Sequence, residues 1–354
     1  MTKVRISRLQ LSLLLIGFIL GNVSIINSAA NAKQDAWLAY LIGWSGGIIL
    51  IGIYGFIARL NPEKTLIEIL KKHFGKYLGS GVAFLYILYF IHLGALMTRS
   101  AGNFVLISTY PETPLFLLML LPGLTVLYQV RKGLEVMGRV DEFFVPIAVI
   151  AILILLVFMF PLYDPSNFKP ILKDGLQPVL KTSLTVTSFP FGEAVIFLMI
   201  FPYINSKKGL IKISIFSVLI AGCILFLSIL KDIMVLGGDK FARNVYPSFV
   251  SSRLAPGYNL DPLVVAILAI GTGVKGKICI YGTSLGLKQL FNLDNYKLIS
   301  LQVLLIIVAL ATWLHPSTVD LLQWKFNIWP YYSIPFQIII PLYLLISSIL
   351  KGKD

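Results

Sequence analysis

Apolar positions in this chain come in long blocks, not at the amphipathic spacing of a water-soluble helix or strand. Ten blocks can be marked: Leu9–Ala30, Ala36–Ala58, Leu78–Ser108, Leu115–Tyr128, Phe143–Tyr163, Thr182–Tyr203, Leu210–Val235, Pro262–Leu287, Leu298–Leu314 and Trp329–Leu350. A hydrocarbon core of about 30 Å takes about 20 mostly apolar residues in helix. The pattern therefore predicts an all-α polytopic membrane protein of ten transmembrane helices, the fourth with the least defined ends.

Two blocks interrupt their own pattern. The sixth, TSLTVTSFPFGEAVIFLMIFPY, carries Pro190, Gly192 and Glu193 near its middle. Proline removes a backbone donor, and an unpaired charge at mid-span costs at least a few kcal/mol. Such backbone persists at depth only where protein buries it or a cavity receives it, so a break between two half-helices is expected at Phe189–Glu193. The first block has Gly17, then Gly21 and Asn22 near its middle, followed by Ser24, Asn27 and Ser28. Five blocks lie in each half, and an odd number forces the halves into opposite orientations. The expectation is one transmembrane domain built as a 5+5 inverted repeat, residues 1–163 and 182–354, with helices 1 and 6 broken at corresponding places.

Breaks of this kind present half-helix termini to the centre of the membrane. N-terminal ends suit a carboxylate, and the carbonyl ends near Leu20 and Thr187–Phe189 suit an ammonium group. The expected ligand site is Gly21, Asn22, Val23 and Ser24 from the first span with Thr187, Ser188, Phe189, Pro190, Phe191, Gly192 and Glu193 from the sixth. A zwitterion fits this arrangement. A sugar or nucleoside would also satisfy Asn22, Ser24 and the exposed backbone.

Composition agrees with the class: 57% of residues are hydrophobic and 13% charged. In a soluble chain the net charge of +14 would point to nucleic acid. Here the basic residues fall mostly on alternate loops and at the ends of the chain, including Lys3, Arg5, Arg8, Arg59, Lys71, Lys72, Arg131, Arg139, Lys207, Lys208, Lys288 and Lys351. The excess is topological, putting both termini in the cytoplasm, with some attraction to anionic lipid and no nucleic-acid partner. Lys325 falls among the few basic residues of the opposite loops. Two of those loops are long, Tyr163–Lys181 and Gly237–Asp261, and the stretch VYPSFVSSRL in the latter predicts a short helix against the outer mouth. The spacings Gly17/Gly21, Gly43/Gly47 and Gly282/Gly286 suit close helix contacts. Cys223 and Cys279 lie inside apolar blocks and read as small core residues.

Charges at depth narrow the picture. Arg99 in the third span either faces the interior with a partner or snorkels outward. Lys275 and Lys277 interrupt the eighth span; positions two apart cannot share a helix face, so at most one points at the site, and Lys275 is the deeper. Glu193 is expected to be neutralised by Lys275, by Arg99 or by a proton. Asp141 and Glu142 are expected near the membrane surface at the start of the fifth span. Tyr281, Thr283 and Ser284 are candidates for the inner wall of the pocket. His73, His92 and His315 show no ligand spacing and read as interfacial or core residues, and Trp324, Trp329, Tyr331 and Tyr332 as an interface belt. No phosphate loop, nucleophile elbow or paired-carboxylate motif is present, so neither an enzyme nor a cofactor is expected.

The run FPFGE at Phe189–Glu193, KGLEVMGRVDEF at Lys132–Phe143, the opening ISRLQL and QDAW at Gln34–Trp37 together resemble the B subunit of GerA-type spore germinant receptors, the endospore germination permease family. The likeness runs over essentially the whole chain. It implies the LeuT-like fold of the amino acid/polyamine/organocation superfamily and a place in the inner membrane of a spore. It further implies a small germinant, often an amino acid, sensed beside an A subunit and a lipoprotein C subunit. Superfamily members without sodium coupling place a protein cation where sodium would bind, a part that Lys275 would fill. The competing functions are a proton-coupled amino acid permease and, further off, an ion or water path or assembly scaffold lined by Arg99 and Glu193.

Overall fold

A computed structural model describes residues 5–21 and 26–351. Nine helical stretches among these are long and apolar enough to cross a membrane, and Arg8–Leu20 is a shorter apolar helix. In chain order they are α1 (Arg8–Leu20), α2 (Ala36–Leu60), α3 (Lys76–Ser108), α4 (Leu115–Lys132), α5 (Leu134–Phe158), α6 (Leu176–Met199), α7 (Leu210–Leu236), α8 (Asp261–Phe291), α9 (Tyr296–Trp313) and α10 (Thr318–Leu350). Each corresponds to one sequence block. The last begins eleven residues before its block, because Thr318–Trp324 is helical although less apolar.

Local signals start the helices. Ser7 and Gln10 form a capping box at the head of α1, Ser7 Oγ accepting from the Gln10 N–H at 3.1 Å and Gln10 Oε1 from the Ser7 N–H at 2.9 Å. Thr65 and Glu68 do the same for a short helix, Leu66–Phe74, between α2 and α3. Burial then follows the heptad. On α5, Phe143, Ile150 and Val157 are exposed in one stripe while Asp141, Val145, Ala148, Ile152 and Leu155 are buried on the other face. The exposed stripe is apolar because its solvent is hydrocarbon.

The packing is pairwise. α2 lies on α7, α3 on α8 and α4 on α9, as a five-plus-five repeat requires, while α1 is enclosed by α5, α7 and α8. The broken segments also meet outside the helices, where Ile6 and Ile204 form a parallel bridge through Ile6 N–H to Tyr203 O and Asn205 N–H to Ile6 O, both 2.9 Å. Small residues permit the close approaches. A Cβ added at Gly43 would lie 2.5 Å from Val186, at Gly47 2.4 Å from Phe191, and at Gly222 2.0 Å from the Trp44 indole nitrogen.

Several sequence expectations are corrected. Residues 26–29 are not helical and Ala30–Asp35 is a 3-10 turn leading into α2, so the described part of the first block holds one half-helix, not two. Asp141 is not exposed at the head of its helix. It is buried beneath α8 and paired with Lys277, which also donates to Gln129 Oε1 at 3.1 Å. The helix expected within VYPSFVSSRL forms at Pro247–Ser252, with most of its residues buried. It is held by Ser248 Oγ donating to Asp232 Oδ2 at 2.5 Å and Ser251 Oγ donating to Asp232 Oδ1 at 2.7 Å, with Lys231 pairing the same carboxylate. Cys279 is buried, whereas Cys223 is on an outward face of α7.

Two measurements test this packing. Gly47→Ala must displace the Phe191 ring and is expected to lower stability by about 1–3 kcal/mol in thermal unfolding of the purified chain. Gly52→Ala on the same helix meets nothing within 4 Å and is expected to be neutral or to gain up to about 1 kcal/mol. Lys277→Met strands the Asp141 carboxylate and is expected to cost about 3–5 kcal/mol. The double variant Lys277→Met/Asp141→Leu should recover most of that loss; no recovery would mean that the pair does not act as a unit.

Candidate functional site

The break in α6 is real, and side chains from two other helices bond to its backbone. Phe189 leaves the helix at φ −134°, ψ 107°, inside a π turn over Thr187–Phe191, and the chain resumes as a 3-10 helix at Gly192–Met199. The freed backbone groups do not go unpaired. Gln337 Nε2 on α10 donates to Ser188 O at 3.0 Å and to the Tyr89 hydroxyl at 2.7 Å, and Tyr54 on α2 donates to Gly192 O at 3.2 Å and Gln337 O at 2.8 Å. This accounting also explains Gly192, since a Cβ there would lie 2.1 Å from Gln337 Oε1. Thr187 Oγ1 donates to Gly43 O at 3.2 Å and Ser183 O at 2.9 Å, and Ser188 Oγ to Thr185 O at 3.1 Å, so both hydroxyls support the break itself.

The break in α1 lies beside it. α1 ends at Leu20, and Gly21 turns away at φ 21°, ψ −135°, its N–H bonded to Gly17 O at 3.0 Å. That backbone is one an L side chain rarely adopts. A Cβ on Gly21 would lie 3.0 Å from Phe18 O and 3.2 Å from Lys275 Cδ, and one on Gly271 would lie 2.6 Å from Gly21 O, so α8 is pressed against this turn. Asn22, Val23 and Ser24 lie outside the described residues.

Charge gathers where the two breaks and α8 converge. Glu193, in the first turn after the break, is buried and paired with Lys275. A carboxylate there also meets the positive end of the short helix. The Lys275 ammonium sits 5.0 Å from the Phe18 ring centre and 4.9 Å from that of Phe189. The ammonium of Lys325 also lies 5.1 Å from the Phe189 ring centre and donates to Ser100 Oγ. Phe189, Glu193, Lys275, Lys325 and Trp329 line one small cavity with Leu96 and Met97 of α3; its volume is about 10 Å³, room for about one water. The site is closed. A larger cavity of about 380 Å³ lies away from both breaks, between α3, α4, α5, α8 and α9, and touches the Asp141–Lys277 pair.

The structure thus brings together Gly21, Phe189, Glu193 and Lys275, with Pro190 and Gly192 shaping the turn and Phe191 packed against α2. It does not bring in Arg99. That guanidinium caps the end of α9, donating to Ala311 O and Thr312 O at 3.4 Å and Pro316 O at 3.3 Å, so it neither pairs Glu193 nor snorkels outward. Thr283 and Ser284 are buried away from the cavity, and Tyr281 packs edge-on against Tyr296 at 5.3 Å. Trp329 is no interface residue: it is buried, stacked on Tyr89 at 5.3 Å, and lines the cavity.

Lys325, Ser100, Tyr89 and Gln337 escaped the sequence reading. The apolar pattern puts Lys325 in a loop, since the last block begins at Trp329; π turns at Trp324–Ile328 and Pro335–Ile339 carry it and Gln337 inward. A lone lysine between tryptophans and a lone glutamine inside SIPFQIII were the available signals. Among the described residues no cluster of three or more histidine, cysteine or acidic side chains is disposed to hold a metal ion.

Comparison with known proteins gives the family. A family model described as spore germination protein matches residues 5–319. Spore germination protein KB of Bacillus subtilis (strain 168) is 33% identical over 361 residues, 100% of this chain and 97% of that protein. Spore germination protein XB of Bacillus anthracis is 27% identical over 249 residues, 69% of each. Among solved structures, a substrate-bound, outward-open Na+-coupled sialic acid symporter superposes with a TM-score of 0.68 at 12% identity, covering 92% of this chain and 80% of that one. MhsT in complex with L-phenylalanine does so at 0.64 and 15% identity, covering 99% of both. At such identities the likeness is one of fold, the ten-helix LeuT architecture expected from the paired breaks. With that fold, and with the match to the germination family over nearly its whole length, this membrane protein belongs to the spore germination protein family, the germination permeases.

Proposed function

We propose that the chain is the germinant-sensing membrane subunit of a spore germinant receptor, taking a small molecule between the breaks of α1 and α6 and passing the change to partner subunits. The observation that carries this reading is the closed charge cluster at the junction of the breaks: Glu193 paired with Lys275, Lys325 beside them, and space for about one water. A ligand enters only if these groups part, so binding and conformational change are one event. That is what a sensor needs, because a ligand shifts an equilibrium only by its difference in affinity between the two states. The amino acid character of the germinant, an A subunit and a lipoprotein C subunit as readers, the spore inner membrane and cytoplasmic termini are parts of the same reading, supported by the family and by the basic loops.

A proton-coupled amino acid permease is the second reading, favoured by the transporter fold of the structural neighbours and by a fixed ammonium, Lys275, against the α1 break. One experiment separates them. The purified chain in sealed liposomes is given radiolabelled amino acids, with saturable binding and time-dependent accumulation scored apart. The sensor reading expects binding without accumulation, lost in Gly21→Leu and weakened in Glu193→Gln by at least about tenfold, the scale of one charge-assisted contact. Concentrative uptake driven by a pH gradient would make the chain a permease instead.

A further inference from the structure

Four lysines are buried among the described residues: Lys231, Lys275, Lys277 and Lys325. Three are matched one to one with buried carboxylates, Asp232, Glu193 and Asp141. The remaining buried carboxylate, Asp35, accepts from Leu172 N–H at 2.9 Å and the Gln34 amide at 3.2 Å. The buried guanidinium of Arg99 is spent on the carbonyl end of a helix. Lys325 is the exception. It is 3% exposed and makes no ion pair among the described residues; its contacts are the Ser100 hydroxyl and the face of Phe189. An ammonium held inside a membrane protein with no carboxylate in contact is costly, and this one borders the cavity that Glu193 and Lys275 share.

The geometry points to Lys325 as the anchor for an anionic group of the ligand, and so to a ligand carrying one carboxylate. This rests on the reading of that cavity as the ligand site and adds which chemistry it selects. Glu193 is occupied by Lys275, so the ammonium left over is the one on α10. The surplus is one charge. A carboxylate matches it, whereas a phosphate brings about −1.5 to −2 and a sugar brings none. Ser100 and Phe189 hold the ammonium in place beforehand, so little ordering is required when the anion arrives. Since α10 supplies the lysine and α6 and α8 the matched pair, a carboxylate on Lys325 would tie α6, α8 and α10 to one small molecule.

The test uses thermal unfolding of the full chain in nanodiscs, with the common L-amino acids, their carboxamides and D-glucose as probes. At least one amino acid is expected to raise the unfolding temperature of the wild type, and its carboxamide to bind at least about tenfold more weakly, as loss of a charge-assisted contact implies. Lys325→Gln should erase that preference. Without ligand, Lys325→Met is expected to unfold at or above the wild-type temperature, since no partner is stranded, whereas Lys277→Met should unfold below it. The inference is overturned if acid and carboxamide bind alike, or if Lys325→Met is as destabilised as Lys277→Met. Stabilisation by glucose but by no amino acid, lost in Glu193→Gln, would keep the ligand site and sink the carboxylate assignment. A wild type that no probe stabilises would sink both.

Discussion

The pairing of Glu193 with Lys275 is the contact on which the centre of this protein depends. Neither charge is tolerable alone at that depth, so each fixes the other, and with them the helices that carry them. Glu193 belongs to the segment just past the break in α6, and Lys275 to the helix pressed against the turn that ends α1. One ion pair therefore sets the register of both interrupted spans against α8. The rings of Phe18 and Phe189 take the remaining faces of the lysine, closing the space that an open junction would leave.

Irregular backbone is expensive in such a place, and the fold meets the cost with specific partners. Gln337 and Tyr54 replace hydrogen bonds that helix α6 gives up, and they come from α10 and α2, distant in sequence. Close approach makes this possible: glycines on α2 admit Val186 and Phe191, and Gly192 admits the Gln337 amide. Proline, glycine and glutamate in FPFGE are thus one device. Pro190 ends the helix, Gly192 makes room for the amide that repairs it, and Glu193 supplies the charge that locks it.

A LeuT-type fold with its central cavity shut is suited to coupling ligand entry to movement. The three other clusters of buried charge among the described residues, at Asp141–Lys277, Asp232–Lys231 and Arg99, are paired with or bonded to protein groups, although Asp141 Oδ2 and Arg99 Nε keep no hydrogen-bond partner there, and they read as structural ties between helices. Only the central one combines a matched pair, a spare cation and a cavity. The germination family shares this fold with a Na+-coupled symporter.

Much of this was legible in the chain itself. Hydrocarbon tolerates only long apolar helices, so ten blocks predicted the spans; residues that no lipid-facing helix keeps, such as Pro190 and Glu193, marked the break, and the two-residue step from Lys275 to Lys277 told that they serve different faces. Those signals are local, and the physics that makes them informative acts along one segment. Tertiary structure alone decided the partners. Arg99 was legible as a buried charge but not as the cap of α9, Asp141 looked like a surface residue until α8 brought Lys277 to it, and Lys325 and Gln337 entered the core through π turns whose rotation no periodicity records. A single sequence states that a charge at depth must be answered; which group answers it depends on where another helix, distant in sequence, is packed.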